Sequence, residues 1–390
     1  MDNNGSQGLR ALEGIKIIDL TRVLAGPFCT MLLADMGAEV IKLEIPDKGD
    51  DSRSFPPFKG GQSTYFINFN RNKKSIVLDL KKSSDVNKFL KIIKSMDVLV
   101  ENFRPGTMEK LGLGYERLRK VNDQIIYASI SGFGQFGPYK DKPGYDIIGQ
   151  AAGGIMGITG WPDGPPTRTG TAIADILAAL FCTTGILSAL HARTIHGKGQ
   201  KIDVAIVDSV VSAIGTILQI YLVEKRIPKR AGNKYDFMAP YESFEAKDGW
   251  FVLGVGNDKI WKKFCNSIKR KDLLNDERFR MNADRVKHRN ELAETVGDWA
   301  ANYTLKEIIS ILEVNGIPVA SINNLEQIVN DPHIAVAREM FQQIAHPLAG
   351  EVKVTGNPIK MSETNPRICE RSPLLGEHTD SVLSQYVQEK

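Results

Sequence analysis

The first half of the chain alternates short β-branched runs with stretches of helical spacing, and this alternation restricts the fold more than any other feature. A run over 14–20 (GIKIIDL) is followed by helical spacing over 25–37 and by a second run over 38–44 (AEVIKLE). A strand, a helix and a strand within about thirty residues form a βαβ unit, whose parallel strands are joined by a right-handed crossover. The spacing therefore predicts a parallel sheet that begins near residue 14.

The pattern recurs along the next hundred residues. Strands are predicted over 75–80, 97–102 and 125–134, and the first two are separated by a helix that ends near Ser95. These elements predict an α/β fold with an open, doubly wound parallel sheet.

Loops after such strands are candidates for ligand contacts, because doubly wound sheets bind ligands where their strands end. The loops are 21–27 (TRVLAGP), 101–106 (ENFRPG) and 131–146 (SGFGQFGPYKDKPGYD). The third is rich in Gly and Pro, so its backbone can approach a ligand closely. The second places Asn102 at a strand end, with Arg104 and Lys110 near a helix start, which suits an anion. A Pro-initiated helix with surface charges explains that segment equally well.

The character of the sequence changes near residue 225. A hairpin is predicted around Lys247 and Gly249, followed by long polar helices, and strand patterns return over 316–324 and 346–361. Those later strands either rejoin the first sheet or bridge two domains, and the sequence leaves both open.

A chain of 390 residues is long for one core, so two domains are expected. We predict a large domain formed by 1–224 and 331–390, and a smaller inserted α+β domain over 225–330.

Composition and charge exclude several classes of protein. The chain is 42% hydrophobic and 25% charged, which is typical of globular proteins, and its net charge of +4 suits an enzyme for anionic substrates better than a nucleic-acid binder. Four separate cysteines predict reduced thiols in a cytoplasmic protein, with a mitochondrial location left open for a eukaryotic source. Asp175 and Thr183 interrupt the apolar stretch near 172–191, so no membrane span is predicted.

Motifs of several common chemistries are absent from the sequence. The loop after the first strand has no GxGxxG, and the chain contains no GxxxxGK[ST], HExxH or GxSxG. No metal site, serine triad or tightly bound cofactor is therefore predicted.

Asp175 opens the apolar run ADILAAL after a glycine-rich segment. On the pattern alone, a carboxylate in the first turn of a helix is the favoured interpretation, because the helix dipole stabilises it there. The alternative is a partly desolvated nucleophile that attacks an acyl carbon, with nearby backbone N–H groups to stabilise the oxyanion.

Seven segments, read together and in order, carry a family resemblance. They are LEGIKIIDLTRVLAGPFCTMLLADMGAEVIKLE, NRNKKSIVLDLK, VENFRPGTMEKLGLGY, PGYDIIGQAAGGIMGITG, GTAIADILAAL, GKGQKIDVAIVDSV and PLLGEHTDSVL. The chain resembles the family III CoA-transferases, of the CaiB/BaiF and formyl-CoA transferase-like type, over essentially its whole length. Within that family it is most similar to succinyl-CoA–dicarboxylate transferases, including the succinate–hydroxymethylglutarate (glutarate) group.

The resemblance implies a Rossmann-like large domain built from both chain ends, a small inserted domain and an interlocked homodimer. It implies an acyl-CoA and a carboxylic acid as substrates, and no nucleic-acid or membrane partner. The family's nucleophilic aspartate falls on Asp175, which reverses the preference for a capping role. The implied CoA-contacting residues are Ala25, Leu78, Lys81, Asn102, Phe103, Arg104, Lys110, Tyr145 and Asp146.

The implied reaction moves CoA from a donor such as succinyl-CoA to a carboxylic acid, through an aspartyl mixed anhydride and an aspartyl-CoA thioester. Backbone amides near Gly254–Asp258 (GVGND) and the VLAGP loop are candidate oxyanion donors. The formyl-CoA transferases have glutamine, arginine and tryptophan where this chain has Leu24, Ile45 and Phe55, and a glycine run where it has GVGND. These departures argue against oxalate as the acceptor.

Two other functions are compatible with the same resemblance. The resemblance implies a GHD motif for an α-methylacyl-CoA racemase, with its histidine and aspartate as the two bases. This chain has Gly144-Tyr145-Asp146 instead, and tyrosine is a poor base near neutral pH. A CoA-binding protein without turnover is the second alternative.

Overall fold

The computed structural model describes residues 8–387. Its strands are β1 (Lys16–Asp19), β2 (Glu39–Glu44), β3 (Phe58–Lys59), β4 (Gln62–Ser63), β5 (Lys73–Val77), β6 (Val98–Glu101), β7 (Ile126–Ser131), β8 (Lys201–Ala205), β9 (Tyr241–Ala246), β10 (Gly249–Gly254), β11 (Val319–Ser321), β12 (Phe341–His346) and β13 (Gly350–Thr355). Its α-helices are α1 (Ala25–Asp35), α2 (Thr64–Phe69), α3 (Ser83–Ile93), α4 (Thr107–Lys110), α5 (Tyr115–Val121), α6 (Asp146–Ala152), α7 (Ile155–Ile158), α8 (Ile173–His196), α9 (Ile206–Ala213), α10 (Gly215–Glu224), α11 (Asp258–Ser267), α12 (Asn282–Lys287), α13 (Arg289–Ala300), α14 (Leu305–Glu313), α15 (Leu325–Asn330) and α16 (Thr379–Val387).

A six-stranded sheet with the order β5-β2-β1-β6-β7-β8 organises the first half of the chain. All its neighbouring strands are parallel. Successive side chains of a strand point to opposite faces of the sheet, and accordingly Ile17 and Ile18 of β1 belong to different apolar cores. The predicted doubly wound α/β sheet is confirmed, because helices cover both faces.

One face of the sheet packs against α1 and α8, and the other against α3, α5 and α16. Helix α8 is long and apolar enough to cross a membrane by length and composition. Its buried residues, among them Ala178, Cys182 and Ile186, pack in the core beneath the sheet. Because α16 comes from the C-terminal segment, both ends of the chain contribute to this fold.

The strand order reverses direction between β1 and β6. From β1 the chain adds β2 and β5 on one side, and then returns to add β6, β7 and β8 on the other. The loops after β1 and β6 therefore diverge and leave a crevice between them, which is where open α/β sheets bind ligands.

The chain divides into two compact units. The first comprises 1–155, 168–225 and 332–390, and the second comprises 156–167 and 226–331. The segment 156–167 belongs to the second unit. Its backbone is hydrogen-bonded to that unit, since the carbonyl of Gly160 accepts from the N–H of Gly232 at 2.9 Å.

The second unit contains the predicted hairpin, formed by β9 and β10, and β11 pairs with β10 in the same sheet. Its core includes Phe251, Trp261 and Phe264. The region predicted as strands over 346–361 contains β13, which pairs with the preceding β12 in a separate two-stranded sheet of the first unit. It neither joins the six-stranded sheet nor contributes to the second unit.

Candidate active site

A cavity of about 190 Å³ lies at the crevice between β1 and β6. The loops after β1, β6 and β7 and the start of α8 form its wall. It is lined by Arg22, Val23, Leu24, Ala25, Asp51, Asn102, Phe103, Arg104, Pro105, Ile130, Ser131, Gly132, Lys142, Pro143, Gly144, Tyr145, Asp175 and Ile206. Six residues that the sequence assigned to the site meet here, namely Ala25, Asn102, Phe103, Arg104, Tyr145 and Asp175.

Asp175 lies in the first turn of α8, with its side chain partly buried at the cavity wall. Burial and the nearby charge of Asp146 together raise the pKa of Asp175 to about 7. Both causes disfavour the ionised carboxylate, the first by removing water and the second by like-charge repulsion. The group therefore changes its charge near neutral pH, as a carboxylate used in acyl chemistry can.

Asp146, at the start of α6, caps α8 from outside that helix. Its Oδ1 accepts hydrogen bonds from the backbone N–H groups of Ala174, at 2.9 Å, and Asp175, at 3.4 Å. The first N–H groups of a helix have no partner within the helix, and a carboxylate there also meets the positive end of the helix dipole. Asp146 thus performs the capping role that the sequence pattern alone favoured for Asp175, and leaves the Asp175 carboxylate at the cavity.

Asn102 joins the two loops that flank the crevice. Its Oδ1 accepts the N–H of Arg22 at 2.9 Å, and its Nδ2 donates to the carbonyl of Arg22 at 2.8 Å. The guanidinium of Arg22 lies 5.5 Å from the ring centre of Phe103. Arg22 pairs with Asp51, which lines the same cavity, at 3.3 Å. The exposed Arg104 and Lys142 add positive charge around the cavity, which suits an anionic ligand.

Buried charges hold the loop after β1 in place. The Nζ of Lys42 donates to the carbonyl of Thr21 at 2.7 Å and pairs with Asp50 at 2.8 Å. Asp50 in turn accepts the N–H of Val23 at 3.0 Å, and Val23 has a φ of 69°. A left-handed conformation is unfavourable for a β-branched residue, so these contacts maintain a strained loop at the cavity.

Helix α1 begins directly against that loop. A Cβ at Gly26 would lie 2.2 Å from the Cβ of Thr21. Only glycine permits this approach, which brings the backbone of Val23, Leu24 and Ala25 to the cavity wall.

A second cavity, of about 330 Å³, lies beside the first, and Arg22 and Phe103 line both. Its lining is mainly apolar, with Leu43, Ile45, Leu78, Leu80 and Leu111 among its residues, and it includes Lys81. Two further residues assigned from the sequence, Leu78 and Lys81, thus lie in this second cavity. Lys110 is exposed on α4 and lines neither cavity.

Tyr65 lines neither cavity, but the sequence analysis missed its link to the charges of the site. Burial and the charges of Asp175 and Asp50 raise its pKa to about 12. Its ring contacts Phe55 and Phe69 edge to face, with centres 5.7 and 5.2 Å apart. No local signal marks Tyr65, because it comes from α2, far from Asp175 in the sequence. Gly254–Asp258 belongs to the second unit, and its predicted role as an oxyanion donor stays a prediction.

Comparison with known proteins is consistent with this geometry. The sequence matches the profile of CoA-transferase family III over residues 12–379. It is 42% identical to the succinyl-CoA:mesaconate CoA-transferase of Haloarcula hispanica, over 96% of each chain. It is 38% identical to the succinyl-CoA:glutarate CoA-transferase of Mus musculus, over 97% of this chain and 87% of the mouse protein.

Two further similarities are informative. The chain is 42% identical to the acetyl-CoA:oxalate CoA-transferase of Acetobacter aceti, over 90% of this chain and 89% of that protein. The crystal structure of a CaiB/BaiF family protein from Brucella suis superposes with a TM-score of 0.86 at 36% identity, covering 97% of this chain and all of that one.

Proposed function

The chain belongs to the family III CoA-transferases, and from this premise we propose that it transfers CoA from succinyl-CoA to a dicarboxylic acid, with Asp175 as the covalent nucleophile. That it is a CoA-transferase follows from the family match and from relatives of that activity. The donor and acceptor class are proposed because the relatives from Haloarcula hispanica and Mus musculus are named for succinyl-CoA and a dicarboxylate. The observation that carries the nucleophile is the partly buried Asp175 carboxylate at the wall of the cavity.

The first half of the reaction loads CoA onto the enzyme. The ionised Asp175 carboxylate attacks the thioester carbonyl of succinyl-CoA, the C–S bond breaks, and CoA leaves as a thiolate from a succinyl–aspartyl anhydride. The thiolate then attacks the Asp175 carbonyl, which releases succinate and leaves an aspartyl-CoA thioester. Two steps with activated acyl groups replace one difficult attack by the acceptor on succinyl-CoA.

The second half repeats these steps with the acceptor. A carboxylate of the acceptor attacks the aspartyl thioester, and CoA thiolate leaves from a new anhydride. The thiolate attacks the acyl carbon of the acceptor, which forms the product acyl-CoA and regenerates the Asp175 carboxylate. The N–H of Val23 already donates to Asp50, so the backbone N–H groups of Leu24 and Ala25, residues that line the same cavity, are the proposed donors to the oxyanions.

The two adjoining cavities suit the two parts of CoA. The apolar second cavity, with Leu78 and Lys81, is proposed to hold the adenine nucleotide. The positive charges of Arg22, Arg104 and Lys142 lie around the first cavity, where the pantetheine chain would lead to Asp175.

The acceptor remains a proposal at the level of dicarboxylic acids. The presence of Leu24, Ile45 and Phe55, where formyl-CoA transferases have other residues, disfavours oxalate as the acceptor. The relative from Acetobacter aceti, however, is 42% identical to this chain and is named for oxalate. Exchange of a few side chains around an acyl pocket can change its selectivity, so oxalate belongs in any acceptor panel.

The test is an exchange assay with succinyl-CoA and a panel containing mesaconate, glutarate and oxalate, read by mass spectrometry of the CoA esters. We expect one new ester, formed in step with free succinate. Asp175→Asn is expected to abolish the exchange and the mass increase of the protein on incubation with succinyl-CoA. Asp380→Asn is the matched control, because Asp380 is an exposed aspartate in the first turn of α16, and it should retain activity.

Near-normal turnover by Asp175→Asn would remove Asp175 from the mechanism. Deuterium incorporation at the α-carbon of an α-methylacyl-CoA, without any CoA exchange, would support the racemase instead. Tyr145, which stands where a racemase would carry its histidine, has a side chain that is 73% exposed.

A further inference from the structure

We infer that Gln150 is a positioning residue for acyl transfer, because its side-chain amide holds the Asp146 carboxylate against the first turn of α8, where Asp175 lies. The inference rests on the proposed function of Asp175. Gln150 lies on α6, one turn after Asp146, and lines neither cavity. It therefore acts through Asp146 rather than on the substrate.

Gln150 is completely buried, with an exposed fraction of 0%. Its Nε2 donates to Oδ2 of Asp146 at 2.7 Å and to the carbonyl of Thr171 at 3.4 Å. Its Oε1 accepts from the N–H of Thr169 at 3.0 Å and from the hydroxyl of Thr169 at 3.3 Å. Both ends of the amide are therefore used, in a place that water does not reach.

The surroundings require an amide in one orientation. A backbone N–H, from Thr169, can only donate, and a carboxylate, from Asp146, accepts, so one end of the side chain must accept and the other must donate. Among the side chains of this length only glutamine offers both at neutral pH. Leucine offers neither, and an ionised glutamate would place a second charge against Asp146.

The contacts form a relay from Gln150 to Asp175. One oxygen of Asp146 is held by Gln150, and the other accepts from the N–H groups of Ala174 and Asp175. The same amide fixes the segment through Thr169 and Thr171 that leads into α8. Loss of the amide leaves Oδ2 of Asp146 without its donor and also releases the segment 169–171 that precedes α8. Both the capping carboxylate and the segment before the helix, which support the backbone of Asp175, are then weakened together.

The consequence for catalysis is geometric. A carboxylate must approach the thioester carbon at about 3–3.5 Å along one direction, and a misplacement of about 1 Å can cost roughly 100-fold in rate. The resemblance implied a CoA contact for Asp146, but Asp146 lines neither cavity. The hydrogen bonds of Gln150 go to Asp146, Thr169 and Thr171 and not to the loops after β1 and β6. Gln150 should therefore affect the acylation rate and leave the affinity for CoA unchanged.

The experiment measures single-turnover release of succinate from succinyl-CoA, CoA affinity by calorimetry, and thermal stability. For Gln150→Leu and Gln150→Glu we expect acylation to slow by about 100-fold, with CoA affinity close to that of the wild type. The matched control is Asn122→Leu, which removes another amide that anchors backbone carbonyls, those of Ile93 and Met96 at 3.0 and 2.8 Å, away from both cavities. Its stability should fall while its acylation rate stays near normal.

A double variant decides whether Gln150 acts through Asp146. If it does, Asp146→Asn combined with Gln150→Leu loses clearly less than the sum of the two single losses, since coupled residues are non-additive, and the part carried by Thr169 and Thr171 is what remains. Additive losses would overturn the relay, as would acylation by both Gln150 variants at the rate of Asn122→Leu. These outcomes are distinct from a failure of the proposed function, in which the wild type shows no exchange or Asp175→Asn stays active. If Gln150→Leu does not fold, the nearly isosteric Gln150→Glu gives the same comparison.

Discussion

At the scale of single residues, burial and charge act on Asp175 in the same direction. Both raise its pKa, to about 7, whereas an ordinary aspartate is fully ionised well below that pH. The partly desolvated carboxylate is a stronger nucleophile once ionised, but at neutral pH only part of the enzyme carries it. Tyr65, whose pKa is about 12, keeps its proton throughout the neutral range.

The expected result is a rise of kcat/KM for succinyl-CoA with pH, centred near the pKa of about 7. The sign follows because attack requires the ionised carboxylate, whose fraction grows as pH increases through the pKa, and kcat/KM reports groups of the free enzyme. Steady-state exchange rates measured from about pH 5.5 to 8.5 check it, with a plateau expected at the upper end. A flat profile, or one that falls over this range, would contradict the assignment of Asp175.

At the scale of elements, the loop after β1 depends on ions buried between strands. Burial raises the pKa of Asp50, but the charge of Lys42 and the hydrogen bonds it receives outweigh this effect and lower it to about 2. Removal of one member of a buried ion pair leaves the other as an uncompensated charge and costs about 3–5 kcal/mol. Because Asp50 also holds the N–H of Val23, such a loss should reach the cavity wall.

Lys42→Met is therefore expected to lower the free energy of unfolding by about 3–5 kcal/mol and to weaken CoA binding. Lys74→Met on the adjacent strand is the control, because Lys74 pairs with Glu39 at 2.6 Å but its side chain is 40% exposed. An exposed pair contributes about 0–1 kcal/mol. Urea unfolding and calorimetric titration with CoA measure both effects. Equal losses in the two variants, or unchanged CoA affinity in Lys42→Met, would contradict the role of the buried pair.

The sheet could be predicted from the sequence because its strands are apolar and consecutive. The runs over 14–20 and 38–44 contain β1 and β2, whose residues are largely buried. Strand β8 was not predicted, since Lys201–Ala205 is polar at its start and only its last residue is buried. Patterns of apolar residues cannot identify such an edge strand.

The site was predicted in part for a similar reason. Asp175 and the residues at strand ends follow from the topology and the family resemblance. Gln150 does not, because its role depends on hydrogen bonds between α6 and the segment that leads into α8, which no motif marks. The buried Lys42 is hidden as well, since a lysine within AEVIKLE is normally expected to face water.

At the scale of the whole molecule, exposed apolar side chains suggest a partner surface. In the first unit, Leu180 and Phe181 of α8 are 44% and 43% exposed, and Leu222 and Val223 of α10 are 50% and 75% exposed. Adjacent exposed apolar residues favour association with another protein surface. The family resemblance implies that this partner is a second copy of the chain, in an interlocked dimer.

Light scattering after size exclusion is expected to give the mass of two chains, and subunit exchange then tests the interlocking. Chains that thread through each other cannot separate unless one of them unfolds, so tagged and untagged dimers mixed under native conditions should yield no hybrid. Hybrids should form only after joint unfolding in urea and refolding, which serves as the positive control. Hybrids that appear on simple mixing would indicate an ordinary surface-to-surface dimer, and the mass of one chain would remove the dimer altogether. Threading requires that tagged and untagged dimers never exchange subunits under native conditions and form hybrids only after refolding. An ordinary surface contact, however strong, would still allow slow exchange.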